Sequence, residues 1–122
     1  MYLIDSNIII YYADKKYPCL DAVFEQDVLY VSEITRLEVL GYHNIGNLKP
    51  AFELLFNGFN SIPLSRVVID KAILIRQQKK MSLGDSIIAA TALLNDLIVV
   101  TRNTEDFIWL ENIAVHNPFE DA

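Results

Sequence analysis

Only one cysteine, Cys19, stands in 122 residues. A lone thiol closes no intramolecular disulfide and excludes a zinc site built on several cysteines. A reducing compartment, the cytoplasm, is the expectation. Four glycines and four prolines are too few for a flexible linker or a low-complexity tract, and no internal repeat is visible. No apolar run reaches the roughly 20 residues that a membrane span needs. The apolar opening MYLIDSNIIIYY is broken by Asp5 and Asn7 and has no basic leader, so neither a signal peptide nor a membrane anchor is expected. Basic charge is scarce too. Ten Lys and Arg against sixteen Asp and Glu leave a net charge of −6, which argues against a passive nucleic-acid coat with a basic footprint.

What is present is material for a core. Hydrophobic residues make up 52% of the chain, and the length fits one domain spanning 1–122. Short apolar runs alternate with longer helical patterns. Strands are expected at 2–4, 28–31, 60–64 (weak), 97–100 and 113–115. Helices are expected at 18–26 behind Pro18, at 32–42 behind a Ser32 cap, and at 48–56. Further helices are expected at 65–80 behind Ser65, at 82–94, and in a short piece from Thr104. Residues 6–12 read as a helix, although three consecutive isoleucines also suit a strand. This alternation predicts an α/β sandwich: a central parallel sheet of about five strands flanked by helices. Two consecutive helices, 65–80 and 82–94, separate strands that should be parallel, so one of them is expected to lie across the sheet.

Four acids fall where such sheets do chemistry, beyond the carboxyl ends of strands. Asp5 follows the strand at 2–4; its bland reading is a turn or cap residue. Glu38 falls at the edge of a helical face formed by Ile34, Leu37, Leu40 and Gly41; its bland reading is a rim residue. Asp106 follows the strand at 97–100 in a helix that Thr104 can cap, with Phe107 and Trp109 as anchors to the core; its bland reading is an acid complementing a helix dipole. Asp85 opens the greasy helix MSLGDSIIAATALLND. Capping-box spacing from Ser82 explains it blandly, yet it also heads a stripe of Ile88, Ala89 and Ala92 that permits close packing. Taken together, the acids suggest carboxylates converging at one sheet edge. Such a group repels itself unless cations sit between its members. Oxygen-only ligands suit Mg²⁺ or Mn²⁺ rather than zinc, and a chain of net negative charge can meet phosphates through such cations.

These segments resemble the PIN-domain family of metal-dependent ribonucleases, and among them the VapC-type toxins of toxin–antitoxin pairs. Tyr2-Leu3-Ile4-Asp5-Ser6-Asn7 is similar to the family's opening segment, with Ser6 where Thr is commoner. Ser32-Glu33-Ile34-Thr35-Arg36-Leu37-Glu38-Val39-Leu40-Gly41 resembles its second-acid helix, and Leu83-Gly84-Asp85-Ser86 its third-acid helix. Thr101-Arg102-Asn103-Thr104-Glu105-Asp106-Phe107 resembles its fourth-acid loop, and Val115-His116-Asn117-Pro118-Phe119 a common family ending. The resemblance implies endoribonuclease activity with Mg²⁺ or Mn²⁺ held by Asp5, Glu38, Asp85 and Asp106. Ser6, Thr101 and Asn103 would position waters or carboxylates. It implies products with 5′-phosphate and 3′-hydroxyl ends, a homodimer, and inhibition by an antitoxin whose C-terminal segment occupies a groove.

Lys79, Lys80 and Arg102 are the basic residues expected to meet RNA, because they lie near acid-bearing segments in sequence. Tyr11, Tyr12, Tyr42, Phe52, Leu55, Phe56 and Phe59 are many apolar groups for helices near a surface; half are expected inside and the rest on a partner face. Two rival readings stand beside the nuclease. One is a metal-free ribonuclease using His43, past a helix end, and His116, in the tail. The other is a PIN-like scaffold that binds RNA or protein without cutting.

Overall fold

The computed structural model describes residues 1–120; the last two residues of the expected domain lie outside the described residues. The chain runs β1 (Tyr2–Ile4), α1 (Ser6–Ala13), a 3₁₀ turn (Pro18–Leu20), α2 (Asp21–Phe24), β2 (Leu29–Ser32) and α3 (Glu33–Leu40). A second 3₁₀ turn (Gly46–Leu48) leads into α4 (Lys49–Asn57), followed by β3 (Asn60–Ile62), α5 (Arg66–Gln78), α6 (Leu83–Asn95) and β4 (Ile98–Val100). A third 3₁₀ turn (Thr104–Asp106) precedes β5 (Ala114–His116).

The five strands form one sheet in the order β3-β2-β1-β4-β5, and every neighbouring pair is parallel. Period-two alternation divides the core between its faces. Leu3, Tyr30 and Val99 face α5 and α6, whereas Ile4, Leu29, Val31 and Val100 face α1 to α4. The result is three layers, as the alternation of strands and helices predicts.

The serine caps form as expected. Ser32, Ser65 and Ser82 accept hydrogen bonds from the backbone N–H of Ile34, Val68 and Asp85. The isoleucine run is helical because Asp5 caps α1 and buries Ile8 and Ile9 on the core face; tertiary packing overrides the strand preference of β-branched residues. α5 starts four residues past β3, at the carboxyl end of the sheet, and ends where α6 starts, near the carboxylates of β1 and the 104–106 turn. It therefore carries the chain laterally and packs chiefly on α6, which makes the return run to β4.

Three local expectations are corrected. α3 does not bury Leu37, which is 66% exposed; it buries Thr35 and Val39. The helix contacts α1, α4, α6 and β2, and of the apolar stripe Ile34 and Leu40 pack partly on the core while Leu37 is left outside. Thr104 is the first residue of its 3₁₀ turn rather than the cap; Asn103 holds that place with no side-chain cap bond. His116 belongs to β5, paired in register with Val100, and not to an irregular tail.

Candidate active site at the carboxyl end of the sheet

The sequence places Asp5 one residue past β1, and the fold buries it there at 5% exposed. Its backbone N–H still bonds to Val100 O at 3.0 Å, extending the sheet ladder by one step. Its carboxylate accepts three hydrogen bonds: from the Ser6 backbone N–H (2.8 Å), the Thr101 hydroxyl (2.8 Å) and the Asn7 amide (3.2 Å). Thr101, fully buried after β4, spends its one proton on Asp5 and accepts from the Asn7 amide (3.2 Å) and the Asn103 backbone N–H (3.1 Å). Asn7 also accepts from the Arg102 backbone N–H at 3.2 Å. The two central strand ends are thus tied together by a fully satisfied polar network.

Glu38 comes from α3 and meets the start of α6. A Cβ added to Gly84 would lie 3.0 Å from Glu38 Oε2, so the backbone beside Asp85 approaches this carboxylate closely. Asp85 is half-buried in the first turn of α6. Asp106 is exposed in the turn beyond β4, fixed by the fully buried Phe107 that follows it.

Electrostatics link the four. Burial raises the Asp5 carboxyl above the ordinary carboxylate range, against its hydrogen bonds, and the charge of Asp106 adds to the rise. Glu38 keeps much of its surface open, yet crowding raises it too, followed by the charges of Asp5 and Asp85. Asp85 is raised first by burial, then by Asp5 and Asp106, against the bond from Ser82.

Among the described residues, no group of three or more His, Cys, Asp or Glu side chains is gathered tightly enough to cage a metal ion. The carboxylates sense one another's charge without converging to ligand distance. The donor set is oxygen only, which fits Mg²⁺ or Mn²⁺.

A groove of about 570 Å³ opens beside the acids, lined by Asp85, Asp106, Lys79, Lys80, Arg76 and Trp109 among others. Lys79 and Lys80 therefore stand where the sequence suggests. Arg102 does not line this groove: its guanidinium lies over the rings of Tyr11 (4.9 Å) and Phe119 (4.3 Å). Ser6 and Asn103 join the network through backbone N–H groups. Sequence reasoning gave no role to Asn7 or Gly84. A glycine in the first turn of a helix, where it lowers propensity, was the available signal for close approach.

A second groove, of about 400 Å³ and mostly apolar, lies between α1, α2 and α4, lined by Tyr12, Tyr17, Leu54 and Leu55 among others. Of the aromatic candidates, Phe52 and Phe56 are buried and Tyr42 is exposed. His43 is exposed beyond α3, edge-on to Tyr42, and His116 stacks with Tyr2.

The family model for the PIN domain matches residues 2–109. No curated protein matches significantly. Among solved structures, a toxin–antitoxin complex from Klebsiella pneumoniae is 29% identical, with a TM-score of 0.83 over 97% of this chain and 98% of that one. FitAcB from Neisseria gonorrhoeae is 25% identical, with a TM-score of 0.68 over 98% and 99%. VapBC-1 from nontypeable Haemophilus influenzae, at 24% identity and a TM-score of 0.78 over 97% and 98%, shares the fold.

Proposed function

The chain belongs to the PIN domain family, and we propose that it is a divalent-metal-dependent endoribonuclease, the toxin of a toxin–antitoxin pair. The observation that carries this reading is the acid quartet. Asp5, Glu38 and Asp85 are raised first by burial and then by charges within the quartet, beside a groove that Arg76, Lys79 and Lys80 also line.

Asp5, Glu38, Asp85 and Asp106 would hold Mg²⁺ or Mn²⁺. When bound, the cation stabilises charge on the phosphodiester and makes water a better nucleophile. Thr101 and Asn7 fix the orientation of Asp5, so that its carboxylate is presented without rearrangement. Lys79 and Lys80 attract the RNA backbone into the groove. The same fold and the Klebsiella complex support an antitoxin as partner, and the apolar groove beside Tyr12 and Leu54 offers it a seat. Exposed Val67 and Leu74, seven residues apart and so on one side of α5, give a homodimer apolar contacts. The whole of 1–122 is taken as one such domain.

Product chemistry tests the reaction class. Cleavage that stops with EDTA, tolerates a blocked 2′-hydroxyl and leaves 5′-phosphate ends supports hydrolysis at the acids. EDTA-resistant cleavage with 2′,3′-cyclic ends overturns it and revives a histidine mechanism.

A further inference from the structure

Trp109 stands in the acid groove with its aromatic ring unassigned. It is the only tryptophan in the chain. Anchoring to the core is already supplied by its neighbours: Phe107 is fully buried and Leu110 nearly so. Trp109 is only half-buried, packing on the core cluster while lining the groove. Its indole N–H donates to Asp106 O at 3.0 Å, which fixes the ring beside an acid of the proposed centre. Lys79 Nζ lies 5.3 Å from the ring centroid.

We propose that Trp109 is a base-stacking platform: the groove takes single-stranded RNA, with one unpaired base on the indole and the adjoining phosphate at Lys79 and Lys80. This rests on RNA being the substrate. The groove carries both charges: Arg76, Lys79 and Lys80 come from the end of α5 and the residues after it, and Asp85, Glu105 and Asp106 supply the acids. Arg76 is partly committed, since its Nε–H donates to Met81 O at 3.1 Å. Among the described residues neither Lys79 nor Lys80 makes a side-chain hydrogen bond or ion pair, so both ammonium groups suit a moving backbone.

An exposed ammonium over an indole is held weakly, and a base stacked on an aromatic ring is held more strongly. A base therefore displaces Lys79 from the ring and leaves its ammonium beside the phosphate that the base brings. A duplex offers no free base face, so the ligand is single-stranded RNA, a loop or a bulge.

The test uses Asp85→Asn protein, chosen to spare the RNA, and an end-labelled single-stranded oligonucleotide of about ten nucleotides, within the span such grooves cover. Label anisotropy reads binding. Emission excited to the red of tyrosine absorption reads Trp109 alone, because it is the one tryptophan beside six tyrosines. The expected result is quenching of emission in step with the rise in anisotropy. Trp109→Leu should weaken binding roughly tenfold, and Trp109→Phe should restore most of it, although Phe lacks the N–H. Both variants are compared at matched melting midpoints. A rise in anisotropy with unchanged emission, or Leu binding as tightly as Phe, overturns the platform and leaves RNA as substrate. No anisotropy change with any RNA removes the substrate reading and the platform together. Quenching by an RNA that the wild-type protein never cuts in Mn²⁺ keeps the platform and removes only the nuclease chemistry.

Discussion

Thr101 and Asp5 lie 96 residues apart in sequence, and the threonine hydroxyl donates to the aspartate carboxylate at 2.8 Å. The bond joins the ends of adjacent strands β1 and β4, and it points the least exposed of the four acids.

Thr101→Val removes the hydroxyl from Asp5 and the acceptor from Asn7 and Asn103 while keeping the shape. A buried network left unpaired costs about 1–3 kcal/mol. We expect a lower melting midpoint and at least a tenfold loss of cleavage, since misdirected metal-site carboxylates cost roughly 10–100-fold. Thr101→Ser should recover most of both. Unchanged cleavage in the valine variant would remove this network from the site.

Glu38→Gln should separate stability from activity. Glu38 is raised by burial and by the charges of Asp5 and Asp85. Removing its charge relieves repulsion, so the metal-free protein should gain stability. The gain is about 1 kcal/mol or less, because solvent screens a group this exposed. Cleavage should fall more than tenfold. Thermal melts in EDTA and a rate assay in Mn²⁺ read the two effects, and a destabilised variant would contradict the mutual repulsion.

Gly84→Ala tests the contact with Glu38. The new Cβ would sit 3.0 Å from Glu38 Oε2, the end of a flexible side chain that can move aside. Alanine also improves an α-helix by roughly 0.5–1 kcal/mol over glycine. We expect an intact or slightly more stable fold with about tenfold weaker Mn²⁺ binding, in line with losses on disturbing metal-site supports. Titration calorimetry checks it; wild-type affinity would show that Glu38 is not a ligand.

The acids also set a pH dependence. Asp5, Glu38 and Asp85 have folded-state carboxyls raised above their unfolded values. Between the two, the folded state binds more protons than the unfolded state, so stability falls as pH rises through that window. The metal-free protein should therefore lose stability from acidic toward neutral pH. Mn²⁺ should restore it at neutral pH, because it binds the deprotonated folded site. Melts with EDTA and with Mn²⁺ across that range test both signs; a metal-free protein that gains stability through the window would contradict them.

The strands, the serine caps and the order of the acids were legible because they depend on local pattern: apolar runs, Ser before a helix, an acid just after a strand. What stayed hidden depends on contacts across the fold. Asn7 reads as an ordinary turn residue until it meets Thr101, 94 positions away. Arg102 gives no sign in sequence that its guanidinium lies over the rings of Tyr11 and Phe119. Leu37 belongs to the most apolar stripe of α3, yet it is exposed while its stripe neighbours Ile34 and Leu40 pack partly on the two core clusters.

The central claim is that four carboxylates from β1, α3, α6 and the turn after β4 form one catalytic centre. Its most direct test is cleavage of RNA by the antitoxin-free protein in Mn²⁺, beside Asp85→Asn. The account predicts that the wild type cuts and the variant, equally folded, does not. Equal cutting by both would contradict it, because Asp85 would then be only the first-turn acid of a capped helix.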